Sequence, residues 1–177
     1  MRNAAAINAL YQLPLWRNRL AGGWSVGSIV TLQSGFPFTP QLSYNPSNTG
    51  DTKNPVRPFV NPNFNGNVII GSPNEWFNPA ALLAPPNNSG FWGNLGRDTL
   101  IGPGLASWDF SVHKDTRIRE KMNLEFRAEL FNILNHPNFN TPNAVTFTPS
   151  GVSPTAGLIT STSTTSRQTQ LALKLLW

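Results

Sequence analysis

Hydrophobic and polar residues alternate along four windows of the chain, residues 21–33, 105–114, 122–133 and 166–177. Because successive side chains of a β-strand point to opposite faces, this period of two predicts four strands, each with one apolar and one polar face. A weaker alternation predicts a fifth strand over residues 3–13. The predicted apolar positions are Trp24, Val26, Val30 and Leu32 in the first window, Ala106, Trp108, Phe110 and Val112 in the second, Met122, Leu124, Phe126, Ala128 and Leu130 in the third, and Leu171, Leu173, Leu175 and Trp177 in the fourth.

The third window also has a helical interpretation. Residues 119–135 are rich in helix-forming residues, and Met122, Phe126 and Leu130 fit the i, i+4 stripe of an amphipathic helix. The charged residues that alternate strictly with the apolar ones favour a strand.

Proline and asparagine separate the strand windows. Ten of the sixteen prolines and twelve asparagines lie between Ser34 and Leu100, whereas the four windows contain no proline. Because proline interrupts a strand ladder and asparagine favours turns, residues 34–104 and 135–164 are predicted to be long loops. The other two connections, residues 14–20 and the turn around residues 115–120, are short.

The connections alternate between short and long, so in an antiparallel sheet all short ones fall at one end and all long ones at the other. Outer-membrane barrels have this asymmetry, with short periplasmic turns and long extracellular loops. The strand pattern alone leaves two architectures open. In a soluble β-sandwich the apolar face packs on a second sheet, and in a membrane barrel it contacts lipid while the polar face lines the lumen. In the barrel, Asp109, Glu125, Arg127 and Glu129 would face the lumen.

Composition excludes several other classes. The chain has no cysteine and two histidines, which rules out thiolate and multi-histidine metal sites. The net charge of +5 includes thirteen basic residues, of which six lie in two short segments and the rest are scattered, a distribution that argues against nucleic acid as a partner. No run of residues approaches the ~20 apolar positions of a spanning helix. No N-terminal stretch has the layout of a signal peptide, as expected for a mature secreted protein or a piece of a longer one.

Two polar groupings invite a catalytic interpretation and support none. Ser111, His113 and Asp109 share one strand face, but positions two apart on a strand are ~7 Å apart, too far for a catalytic triad without further elements. Glu125 and Glu129 could be a glycosidase pair, but Arg127 between them indicates a ladder of charges on a hydrated face. We expect that the chain is not an enzyme and carries no metal or cofactor.

At the level of whole segments, the chain resembles the C-terminal part of Oar-like TonB-dependent receptors of the acidobacterial type, in which a carboxypeptidase-regulatory-like domain precedes the plug and barrel. The similar segments occur in family order and cover nearly the whole chain: GGWSVGSIVTLQSGFPFTP (22–40), EWFNPAAL (75–82), GNLGRDTLIGPGLASWDFSVHKD (93–115), LEFRAELFNILNHPNFNTP (124–142) and RQTQLALKLLW (167–177).

The resemblance implies an all-β fold in which the antiparallel strands form the last ~5 strands of a 22-stranded transmembrane barrel, with long extracellular loops. The chain would be a fragment that contributes wall and surface loops in the cell outer membrane and transports nothing alone. Its partners would be outer-membrane lipid, the barrel assembly machinery, the rest of the receptor barrel and plug, and TonB only through that missing plug.

Two sets of residues take roles from the resemblance and from barrel architecture. Leu171, Leu173, Leu175 and Trp177 resemble the C-terminal signal read by the assembly machinery. Trp24 and Trp108 are candidates for the aromatic girdle of such a barrel. Three further aromatic residues, Tyr11, Trp16 and Trp177, also fall near predicted strand ends. The alternative remains a secreted soluble β-sandwich used for adhesion or carbohydrate binding.

Overall fold

The computed structural model describes residues 3–14, 21–50, 56–86 and 88–177. It divides the chain into two compact units. The sheet unit comprises Asn3–Ser34, Leu105–Asn138 and Thr164–Trp177, and the loop unit includes Gly35–Gly104 and Phe139–Ser163.

The sheet unit is a five-stranded antiparallel meander in which each strand pairs with its neighbours in the sequence of strands. The region with a helical alternative is a strand, because its apolar residues pair with two neighbouring strands across the ladder. The strands are β1 (Ala4–Gln12), β2 (Trp24–Gln33), β3 (Leu105–Arg119), β4 (Met122–Phe131) and β5 (Gln168–Leu176).

The predicted end of the strand 105–114 is wrong, and the short turn predicted around residues 115–120 lies at the far end of that range. β3 continues to Arg119, five residues past the predicted end at 114, and the connection to β4 is reduced to Glu120 and Lys121. The stretch continues the strand because Thr116 and Arg117 pair with Leu124 and Asn123 of β4 in the ladder. Most of the predicted link at 14–20 lies outside the described residues.

The register places the apolar positions of all five strands on one side of the sheet, which we call the apolar face. Trp108 opposes Val30, which opposes Ile7, and Phe126 opposes Leu173. The other side, called the polar face, carries the alternating polar residues, together with Leu10, Ile29, Leu105, Phe131 and Leu176. The apolar sets inferred from each window separately therefore form one continuous surface.

The two predicted long loops are not structureless, because most of their residues form the loop unit. That unit has its own core, and its chain makes two-to-four-residue strands at Pro37–Phe38, Gln41–Leu42, Phe59–Val60, Ile69–Ser72, Glu75–Phe77, Leu82–Leu83, Leu100–Ile101, Val145–Thr148 and Gly151–Val152, with a 3₁₀ turn at Pro79–Ala81. Prolines keep these strands short but do not prevent burial of the apolar residues between them. The core consists of Phe38, Leu42, Phe77, Leu82, Leu95, Leu100 and Phe147.

Hydrogen bonds and close backbone approaches hold the loop unit around that core. The Trp76 indole donates to the Ile101 carbonyl at 2.9 Å, and the Tyr44 hydroxyl donates to the Pro85 carbonyl at 3.0 Å. Burial raises the pKa of the Tyr44 phenol above its ordinary value. A side chain at Gly93 would collide with the Pro58 carbonyl, so this crossing of two segments requires glycine.

Among the described residues, no helix has the length and hydropathy needed to cross a membrane.

The buried core predicts that Phe77→Ala destabilises the loop unit. Phe77 is fully buried and its ring centre lies 5.8 Å from that of Phe38, with the two rings tilted by 50°, so its truncation should cost about 3–5 kcal/mol. Hydrogen exchange of the whole chain should show lost protection in Gly35–Gly104 and Phe139–Ser163. Phe91→Ala is the matched control because Phe91 is 63% exposed. Equal effects of the two substitutions would contradict the core assignment.

Candidate functional site

The most unusual feature of the described structure is the apolar face of the sheet, because its side chains are not buried. No strand residue of the sheet unit is buried in the described structure. Ile7 is 62% exposed, Leu171 67% and Leu173 70%, whereas the buried hydrophobic residues all belong to the loop unit. Contiguous apolar surface of this kind marks contact with a partner or a membrane.

The polar face has the opposite character. Asp109, Glu125, Arg127 and Glu129, the residues expected to face a lumen, all lie on it. The Nη1 atom of Arg127 lies 3.8 Å from a carboxylate oxygen of Glu129, with the Arg127 side chain 54% exposed. A pair this open to solvent contributes little to stability, so the charges mark a hydrated surface.

Two open hollows of about 530 Å³ each lie along this face. His113, Glu125 and Arg127 contribute to one, and Asp109 and Glu129 to the other. All five side chains are polar and reachable from solvent. Whether the hollows face a barrel lumen remains a prediction.

The Ser111, His113 and Asp109 grouping forms only one of the contacts that a triad needs. His113 Nε2 lies 3.1 Å from Ser111 Oγ. The Asp109 carboxylate instead accepts a hydrogen bond from the Asn132 backbone N–H at 2.8 Å and one from Ser107 at 3.4 Å. Asp109 thus joins the end of β4 to β3 and does not orient the imidazole.

The candidate girdle residues lie on the apolar face at opposite ends of the sheet. Trp24 begins β2, and Lys114 opposite it places its Nζ 5.2 Å from the centre of the indole ring. Trp108 lies near the start of β3 and donates its indole N–H to Ser28 Oγ at 2.8 Å. Trp177, directly after β5, is 89% exposed. An indole at the boundary of an apolar surface satisfies its polar atom while its ring stays in contact with that surface.

Two buried asparagines, Asn132 and Asn138, connect β3, β4 and the segment before β5 at the end of the sheet opposite the short turn. The side chain of Asn132 donates to the carbonyls of His136 and Thr165, at 3.0 and 3.1 Å, and accepts from the His136 N–H at 3.0 Å. Asn132 has a φ of 49°, a left-handed conformation that asparagine tolerates better than most residues. It ends β4 and ties the approach to β5 to that end.

Asn138 makes the second part of this pair and is 1% exposed. Its Oδ1 accepts from the Ala106 N–H at 2.7 Å, and its Nδ2 donates to Thr164 Oγ1 at 3.0 Å. The sequence places Asn138 only in the predicted long loop 135–164 and does not indicate these roles. The repeated asparagines were the available signal, but their partners lie about 30 residues away in the sequence.

Comparison with known proteins gives one result. The family described as outer membrane beta barrel domain matches residues 1–170. No curated protein and no solved structure matches the chain significantly.

The asparagine pair predicts that Asn138→Ala loosens one end of the sheet. The change removes the acceptor of the Ala106 N–H in a buried place, which should cost about 1–3 kcal/mol. Hydrogen exchange should show the Ala106 amide exchanging at least about tenfold faster. Asn123→Ala, at the opposite end of β4, should leave that amide unchanged. An unchanged Ala106 rate in Asn138→Ala would refute the assignment.

Proposed function

Because the chain belongs to the family of outer membrane β-barrel domains, its place is the outer membrane, and we propose that it forms the last strands of a TonB-dependent receptor barrel of the Oar-like type. In this proposal the five strands are part of a 22-stranded wall. The long segments are extracellular, and the polar face lines the lumen around a plug supplied by the rest of the receptor. TonB acts only through that plug, so the chain transports nothing by itself and performs no catalysis.

The exposed apolar face is the observation that carries the proposal. A soluble sandwich would cover this face with a second sheet, whereas Ile7, Leu171 and Leu173 on this face are each more than half exposed. Both edges of the sheet, β1 and β5, also lack a neighbouring strand in the described structure. Lipid on the apolar face and further barrel strands at both edges would satisfy these surfaces together.

The stagger of the aromatic residues supports a tilted membrane wall. Trp24 and Leu173 lie at the same level of the ladder, because Trp24 opposes Lys114, Lys114 opposes Phe126, and Phe126 opposes Leu173. Trp177 lies four residues beyond Leu173, or ~14 Å, while three strand spacings of ~4.8 Å separate β2 from β5. The line from Trp24 to Trp177 is therefore inclined by about 45° to the perpendicular of the strands. Strands of outer-membrane barrels tilt by ~35–45°, so this line can follow one membrane surface.

The direction of the connections supports one orientation of the sheet in the membrane. The Glu120–Lys121 turn lies at the Trp24 end of the sheet, and both long segments leave from the opposite end, at Gln33 and after Phe131. In outer-membrane barrels the short turns are periplasmic, so in this proposal the Trp24 end faces the periplasm.

The proposal predicts that an arginine is costly on one face and tolerated on the other. Phe110 lies near the middle of the apolar face, and Phe110→Arg should weaken membrane insertion by about 2–4 kcal/mol. Ile29→Arg is the matched control because Ile29 lies opposite Asp109 on the polar face. The measurement is the protease-protected fraction of the chain in lipid vesicles.

Equal losses in the two variants would reject the assigned faces. A wild-type chain that stays monomeric and folded in water without detergent would reject the membrane assignment itself and favour the soluble sandwich.

The assembly-signal role of Leu171, Leu173, Leu175 and Trp177 predicts separate results in cells and in purified lipid. Trp177→Ala should lower assembly into the outer membrane of cells several-fold, because the machinery reads the terminal aromatic residue. Insertion of the purified chain into vesicles should change by about twofold or less. Leu176→Ala, on the polar face, serves as the control. Loss of insertion in both settings would indicate a packing role in place of a signal.

A further inference from the structure

Two basic residues interrupt the apolar face near its short-turn end, and the rest of that face carries no charged residue within the described strands. Lys114 stands between Trp24 on one neighbouring strand and Phe126 on the other. Arg119 opposes Met122, whose side chain belongs to the same face as Phe126. Charged groups on a lipid-facing surface are costly in the apolar interior, so their position at the boundary requires an explanation.

The Lys114 side chain directs its charge towards the end of the sheet. Its ammonium lies over the Trp24 ring at 5.2 Å and donates to the Gly22 carbonyl, which precedes β2. The aliphatic part of the lysine can thus contact the apolar face while the charge reaches the boundary, as lysines at membrane interfaces do.

A β-bulge places Arg119 near the same boundary. The register shifts between Arg117 and Arg119, so that Arg117 opposes Asn123 on the polar face while Arg119 opposes Met122. Without the shift, Arg119 would continue the polar series of Arg117. Bulges commonly redirect a side chain in this way.

We propose that Lys114 and Arg119 bind the headgroup phosphates of anionic phospholipids in the membrane leaflet next to the short-turn end. Both cations lie beside aromatic or apolar side chains at the edge of the surface that contacts acyl chains. This arrangement suits a ligand with a phosphate directly above a hydrocarbon tail, and a free phosphate or a nucleic acid would not need the apolar part. The inference rests on the proposed membrane role of the apolar face.

The chain offers a matched control for Lys114. Lys174 opposes Glu125 on the polar face, one residue from the level of Lys114 in the ladder. Removing either charge changes the net charge equally and at nearly the same depth. Only Lys114 lies on the face that would contact lipid.

The test compares insertion of the purified chain into vesicles of phosphatidylcholine alone and of phosphatidylcholine mixed equally with phosphatidylglycerol. The wild-type chain should prefer the anionic vesicles. Lys114→Gln should reduce this preference roughly fivefold, as expected for one basic residue at an anionic surface. Lys114→Arg should retain it, and Arg119→Gln combined with Lys114→Gln should reduce it further. Lys174→Gln should keep the wild-type preference.

The outcomes separate the two proposals. Equal insertion of the wild type into both vesicles, or equal losses in Lys114→Gln and Lys174→Gln, would overturn the headgroup assignment while leaving the membrane role intact. No association of the wild-type chain with either kind of vesicle would overturn both.

Discussion

The antiparallel hydrogen-bond ladder fixes every second side chain of five strands on the same side of one sheet. A shift of one residue between any two strands would place the apolar residues of one strand among the charges of its neighbour. The observed register avoids this across all four pairings. The uncovered apolar face, the charged polar face and the staggered tryptophans all depend on that alignment.

The two units use apolar residues in different ways. In the loop unit, single apolar side chains between prolines turn inward and form a core that includes Phe77 and Phe147. In the sheet unit, the apolar strand residues are half-buried or exposed, while the buried side chains are those of Asn132 and Asn138. The loop unit thus has the interior of a water-soluble domain, and the sheet unit satisfies polar groups within itself and presents its apolar groups to its surroundings. An uncovered apolar face of this kind is consistent with the family of outer membrane β-barrel domains to which the chain belongs.

Two basic residues, Lys114 and Arg119, mark the end of the apolar face on the side of the short turn. The bulge before Arg119 and the contact between Lys114 and Trp24 both act where the apolar face ends. A cation beside an indole suits the interface between acyl chains and headgroups, since each group there contacts the phase that it prefers. The interaction with lipid would then be defined by position in the ladder more than by any single strong bond.

The sequence by itself determined the strands of the sheet and which residues share a face, because a period of two is a local property of an extended chain. It could not fix the end of β3, since charges as far as Arg119 are compatible with a turn or a strand until Asn123 and Glu125 pair with that stretch. Tertiary structure alone decided that the proline-rich segments enclose a core, and that Asn138 joins Ala106 to Thr164. Both features depend on contacts between residues distant in sequence, and no local pattern records which distant residue will be the partner.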